Sequence, residues 1–212
     1  MSDIIREVDE ELRRENFEKL WRKYGSYAVG LAVVIVLGVG GFFQWQHYTQ
    51  GQREERARQY EAAVQLSAAA DPGAPAALQA LAAREDGYGA LAELQQAELK
   101  AKAGDVAGAV AIYEKMTADS AVDRSLRDLA LILLALHTVD TAPPDQLTQR
   151  LQPLTAATNP WHYSALELTA VLARRAGDNA KAVQILTGLA DDLNAPQALR
   201  QRATEMLHAL KG

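Results

Sequence analysis

The chain is 212 residues long, carries 22 Lys+Arg against 27 Asp+Glu for a formal net charge of −5, and contains no cysteine. The missing cysteine excludes thiolate metal sites, thiol catalysis and disulfides, and is compatible with an oxidising compartment. Its cations are scattered, which excludes the clustered basic footprint of a nucleic-acid binder.

Residues 1–23 predict a short amphipathic helix. Ile5, Val8 and Leu12 keep i, i+3, i+7 spacing, and Phe17, Leu20 and Trp21 continue the apolar stripe with a slip. On the charged face Glu15 and Glu18 stand four residues before Lys19 and Arg22, an offset that favours ion pairs. Such a segment serves either as a cytosolic docking helix or as a juxtamembrane helix lying on a membrane surface.

Residues 24–43, YGSYAVGLAVVIVLGVGGFF, hold no charge, and a buried core helix rarely stays uncharged for so long. They predict a single transmembrane helix. At 1.5 Å per residue the stretch from Trp21 to Trp45 covers roughly 36 Å, enough for a hydrocarbon core of about 30 Å. Trp21 and Tyr24 at one end, with Trp45 and Tyr48 at the other, supply the amphipathic rings that an anchored helix sets at the headgroups. The run exceeds a signal-peptide h-region, and the GVGGFFQWQHY at its end lacks the small residues of a cleavage site, so a retained anchor is expected.

Lys19, Arg22 and Lys23 flank the N-terminal end, whereas the first cation beyond the run is Arg53. By the positive-inside rule the N-terminus is expected in the cytoplasm and the larger part outside it. The expected organisation is therefore a cytoplasmic segment over residues 1–23, a bacterial inner-membrane span over 24–45 and a periplasmic helical domain over 46–212. The pairs Ser26/Gly30 and Ala28/Ala32 leave helix pairing within the bilayer open.

Beyond the span the pattern is helical. A helix over residues 52–70 ends at Asp71-Pro72-Gly73, and a second over about 75–84 precedes a break at Gly87-Tyr88-Gly89. Then a repeat emerges. Ala103-Gly104-Asp105 is followed by Ala109 and Tyr113, and Ala176-Gly177-Asp178 by Ala182 and Leu186, 73 residues later. The offset is two periods of a roughly 34-residue helix–turn–helix unit with a few inserted residues.

The string has a physical reading. Glycine ends one helix in a left-handed residue, aspartate caps the next, a small residue sits where the helices cross and a bulky one fills the space beyond. In the same register Ala97 and Ala170 take the other crossing positions, while Glu93 and Leu166 stand where such repeats carry a large aromatic. The middle unit consists of helices over about 122–139 and 145–155, Asn159-Pro160 opens the third, and Asn194-Ala195-Pro196 opens a last helix. Residues 129–136, LALILLAL, are too short for a second span and predict a core helix packed on two neighbours. The predicted fold is all-α: one N-terminal transmembrane helix followed by a tetratricopeptide-like solenoid of hairpins.

No catalytic constellation is legible. His47, His137, His162 and His208 show no ligand spacing, no serine lies in a G-x-S-x-G context, and Gly38-Val39-Gly40-Gly41 lies within the apolar run. Only His137 and His162 brought together with a carboxylate in a deep pocket would point to an enzyme. The function left is binding, without a cofactor, a small-molecule substrate or nucleic acid, on the concave face that stacked hairpins present. The register assigns Leu91, Leu94, Glu98 and Lys102 to that face in one unit, and Glu167, Val171 and Arg174 in another; the apolar members could equally pack on neighbouring helices.

Tyr88-Gly89-Ala90-Leu91-Ala92, with the anchor, both A-G-D turns and the N-terminal EELRRENFEKLWRKYG, resembles the YfgM family of bacterial inner-membrane proteins over nearly the whole chain. The resemblance implies an ancillary subunit of the SecYEG translocon, working with a membrane-anchored, parvulin-like periplasmic chaperone on newly translocated proteins. It brings no catalytic residues. The competing expectation is a scaffold for another envelope assembly, such as division or outer-membrane machinery.

Overall fold

A computed structural model describes residues 2–84 and 86–211, with side chains described at residue 30 and over residues 34–84 and 86–210. Among the described residues every regular element is helical: α1 (Ser2–Ala68), α2 (Ala74–Ala82), α3 (Gly87–Lys102), α4 (Val106–Ala118), α5 (Arg124–Thr138), α6 (Pro144–Leu151), α7 (His162–Arg175), α8 (Asn179–Asp191) and α9 (Gln197–Lys211). The chain divides into two compact units, Met1–Arg56 and Ala57–Gly212.

In the first unit the large apolar side chains described between Val34 and Tyr48 are all exposed, among them Leu37 at 69% and Trp45 at 72%. Val34, Ile35, Val36 and Leu37 are consecutive, and at 3.6 residues per turn they cover the whole circumference of α1. No helix among the described residues is long and apolar enough to cross a membrane. The side chains of residues 1–29 and 31–33, including the predicted amphipathic face, its ion pairs, Trp21 and Tyr24, lie outside the described residues.

The second unit is a succession of packed hairpins. The end of α1 contributes Ala63 to a small core with Leu78 and Leu81 of α2 and Ala92 of α3. The main core joins α3 through α7, with Ala97, Tyr113, Ile132, Leu147 and Leu172 among its buried members. A third cluster joins α7, α8 and α9 through Ala170, Leu186, Leu189 and Ala203. Besides these sequential pairings, α3 meets α5, α5 meets α7, and α7 meets α9. Helices α3, α5, α7 and α9 therefore form one continuous side of the array, and on α9 Gln197, Gln201, Thr204 and His208 are exposed to solvent.

The A-G-D strings do what their residue types require. Gly104 has φ +85° and Gly177 has φ +83°. At the first turn the Asp105 N–H donates to the Lys100 carbonyl (2.8 Å) and the Gly104 N–H to that of Ala101 (3.0 Å); Asp178 and Gly177 repeat the pattern on Ala173 and Arg174. These paired bonds satisfy the last carbonyls of α3 and α7. Each aspartate then caps the next helix, Asp105 accepting from the Gly108 N–H and Asp178 from that of Lys181, both at 2.9 Å. The Lys100 ammonium and then the Gly108 N–H hold the Asp105 carboxyl below its ordinary range. The crossing alanines Ala97, Ala109 and Ala182 are fully buried, and Ala170 is 1% exposed.

The helix-ending half of the turn recurs at Ala69-Ala70-Asp71. Ala70 has φ +53°, its N–H donates to Ser67, and the Asp71 N–H donates to Leu66 across the same six-residue loop. Asp71 lies 34 residues before Asp105, one repeat period. An alanine thus holds the left-handed position that glycine fills in the other two copies.

The helices predicted separately over residues 1–23 and 52–70 run together in α1, and two further boundaries move. Gly87-Tyr88-Gly89 is the first turn of α3 instead of a break, because the Asp86 carboxylate accepts from the Gly89 N–H (2.9 Å) and starts the helix there. Glycine at 89 also reflects a close approach, since a Cβ there would meet the Arg84 carbonyl oxygen at 2.0 Å. The helix predicted to reach residue 155 ends as α6 at Leu151, and a 3-10 turn follows over Gln152–Thr155. Pro153 has no N–H with which to continue the α-helical ladder.

Gly104→Ala puts a Cβ into a left-handed backbone and is expected to cost about 1–2 kcal/mol. The reverse change at the equivalent place, Ala70→Gly, is expected to gain about 0.5–1 kcal/mol. Urea unfolding followed by circular dichroism checks both signs.

Candidate functional site

Where α5, α7 and α9 meet, they leave an open groove of about 670 Å³. Its floor is Ile132 and Leu136 of α5, Val139 just past the end of that helix, Leu168 and Val171 of α7, and Met206 of α9. Leu136 is 56% exposed, which corrects the reading of residues 129–136 as wholly core. Ala130, Ile132, Leu134 and Ala135 are buried, whereas Leu136, one turn after Ile132 on the same side of the helix, is left open to solvent.

Glu167 and Arg202 join α7 to α9 across this groove. Arg202 donates from Nε to Glu167 Oε1 (2.7 Å) and from a terminal nitrogen to Oε2 (2.8 Å). This bidentate pairing raises the Arg202 pKa above its ordinary value. Glu205 lines the groove too, and its Oε1 accepts from the Gln201 side-chain amide at 3.3 Å.

Of the predicted face, Glu167 and Val171 line this groove. Arg174 is exposed in the last turn of α7. In the other set Leu94 is buried in the main core and Leu91 packs against it. Glu98 and Lys102 form an i, i+4 ion pair at 3.2 Å on α3. Trp45 and Tyr48, predicted to sit at a membrane interface, are exposed on α1.

Glu93, standing where an aromatic is usual, binds the Lys115 ammonium at 2.5 Å and ties α3 to α4. Leu166 packs into the cluster of α7, α8 and α9. Both solutions hold a hairpin together, one by charge and one by apolar contact.

A set of polar clasps recurs at one repeat length. Arg150 grips Glu114 with two bonds of 2.7 and 2.9 Å at a separation of 36 residues. Trp161 Nε1 donates to the Ser125 carbonyl, also 36 residues away. Arg175 donates to the Val139 carbonyl at the same separation and to that of Ala142 at 3.0 Å. Glu167 and Arg202 lie 35 residues apart. Each exposed ion pair adds at most about 1 kcal/mol, so the clasps fix register between units more than they add stability. This spacing was the signal that would have found Arg202.

The titratable groups have structural occupations. His137 stacks on Tyr113 with ring centroids 5.8 Å apart and planes at 11°. His162 Nδ1 lies 2.6 Å from the Thr155 carbonyl oxygen. Neither lines this groove, nor the one of about 730 Å³ bordered by Asp86, Glu93 and Lys115, nor that of about 570 Å³ bordered by Gln79 and Lys100. Among the described residues no group of His, Asp and Glu could hold a metal ion. The Tyr113 hydroxyl is buried without a partner, and burial, with the Glu98 charge adding to it, pushes its pKa up to about 12.

Residues 18–184 match the family described as tetratricopeptide repeat-like domain. No curated protein and no solved structure matches the chain significantly.

Tyr113→Phe keeps the ring and its stack on His137 while removing the unpartnered hydroxyl. It is expected to stabilise the fold by about 1 kcal/mol, read as a higher urea midpoint; a loss of that size would mean that the hydroxyl holds a partner.

Proposed function

The chain belongs to the tetratricopeptide repeat-like domain family, and from that premise we propose that it is a non-enzymatic, membrane-anchored scaffold for protein partners. In this reading residues 24–45 cross the bacterial inner membrane, residues 1–23 remain in the cytoplasm and residues 46–212 form a periplasmic helical domain. The observation that carries the anchor is the unbroken exposure of large apolar side chains between Val34 and Tyr48. Leaving so many of them in water forfeits on the order of 10 kcal/mol of burial. A bilayer removes that penalty, with Trp45 and Tyr48 at its headgroup level.

The repeat domain supplies the binding half of the proposal. Helical hairpins that adjoin along α3, α5, α7 and α9 offer side chains of several units to one polypeptide. The partners follow from the YfgM-like layout of the sequence: a SecYEG-type translocon and a membrane-anchored, parvulin-like chaperone that receives translocated proteins. An anchored domain outside the cytoplasm stands where such polypeptides emerge.

A reporter enzyme active only outside the cytoplasm, fused after Gly212, is expected to be active; an expressed but inactive fusion overturns the orientation. SecY-type subunits are expected to co-purify with the chain from mild detergent. Their absence across repeated pull-downs, with division or outer-membrane assembly proteins in their place, would replace the translocon assignment.

A further inference from the structure

We propose that the groove between α5, α7 and α9 takes an amphipathic helix of a protein partner, apolar on its inner side and carrying a lysine or arginine at its rim. This rests on the scaffold reading above and specifies the partner's form at one site. Leu136, 56% exposed on an otherwise well-packed helix, is the groove's most accessible large apolar group. Ile132 and Leu136 of α5 and Val139, the helically coiled residue that caps its end, follow one another at i, i+4, i+7 and form a single ridge along the floor.

The polar inventory decides the form of the occupant. An extended segment brings one N–H and one C=O per residue, each of which needs a partner once buried. The walls are helices whose own backbone groups are paired internally, so they present no edge for such a segment to join. Side-chain donors in the groove are Ser164 and Arg202, and Arg202 is committed to both oxygens of Glu167. A helix arrives with its backbone already satisfied and can lay an i, i+3, i+4, i+7 stripe on the floor.

Charge sets the flank. Glu167 and Glu205 against Arg202 leave one negative charge in excess among the lining residues. With Arg202 bonded to Glu167, Glu205 meets that guanidinium only through space and accepts a hydrogen bond from a neutral amide, that of Gln201 at 3.3 Å. A cation on the incoming helix complements it and fixes the helix's direction and register.

The test is fluorescence anisotropy of labelled synthetic peptides on the full chain in lipid nanodiscs, with empty nanodiscs as the blank. The first peptide carries leucines at i, i+3, i+4, i+7, flanking lysines and glutamine elsewhere. A second has a central proline, and a third has glutamates for the lysines. The first is expected to bind, the proline peptide at least about tenfold more weakly. Leu136→Ser is expected to weaken the first about tenfold, and Glu205→Lys to weaken it while strengthening the third. Both positions are exposed, and circular dichroism verifies that the variants keep the fold.

Equal binding of the proline peptide would overturn the helical occupant in favour of an extended one. No binding of either, or binding indifferent to both substitutions, would overturn the groove as the site. Self-association of the wild-type chain that Leu136→Ser abolishes would put a second copy there instead. None of these results touches the scaffold reading, which fails separately if the wild-type chain co-purifies with no translocon or other envelope-assembly subunit.

Discussion

The hairpins α3–α4 and α7–α8 depend on ending one helix and starting another within three residues while pairing the backbone groups that both ends expose. A helix end strands four carbonyls and the next start strands four N–H groups. The turns at Gly104 and Gly177 meet both demands: the left-handed residue directs two N–H groups back onto the old helix, and the aspartate after it accepts from the new one. Helices returned this sharply must cross closely, which is why Ala97, Ala109 and Ala182 are small and wholly buried. Tyr113 and Leu186 then fill the space that opens away from each crossing.

The turns make hairpins, but they do not make an array. That needs contacts one repeat further along, and here they combine apolar packing with polar clasps. Glu114 with Arg150, Ser125 with Trp161, Val139 with Arg175 and Glu167 with Arg202 are all 35 or 36 residues apart. A stripe of leucines can slide by a turn at little cost, whereas a bidentate arginine or a guanidinium on a particular carbonyl cannot. The clasps on α5, α7 and α9 therefore fix the geometry of the groove between them. The exposed apolar length of α1 in the first unit poses a different problem, one its own residues do not solve: it has the surface of a core helix and no described core around it.

The helical class, the two glycine turns, the aspartate caps and the crossing alanines were legible because each follows from a local rule acting on a distinctive residue. Ala69-Ala70-Asp71 escaped because alanine hides a left-handed position that glycine advertises, although Asp71 stands one period before Asp105. Gly87-Tyr88-Gly89 read as a break because glycine is ambiguous between interrupting a helix and permitting a close approach; Asp86 decides, and it acts from outside the motif. Leu136 was absorbed into an apolar run with no alternation to mark an outward side. Glu167 and Val171 reached the groove by repeat register alone, while Arg202 and Glu205 come from a helix outside the register, and only packing brings them there.

The central claim is that this chain binds protein partners through the side of the array formed by α3, α5, α7 and α9. In-cell photocrosslinking tests it most directly, with a photoreactive amino acid at Glu98 or Leu136 and, for comparison, at Gln184, which is exposed on α8. The account predicts adducts with membrane or translocated proteins from Glu98 and Leu136 and few from Gln184. Adducts from Gln184 alone would contradict it.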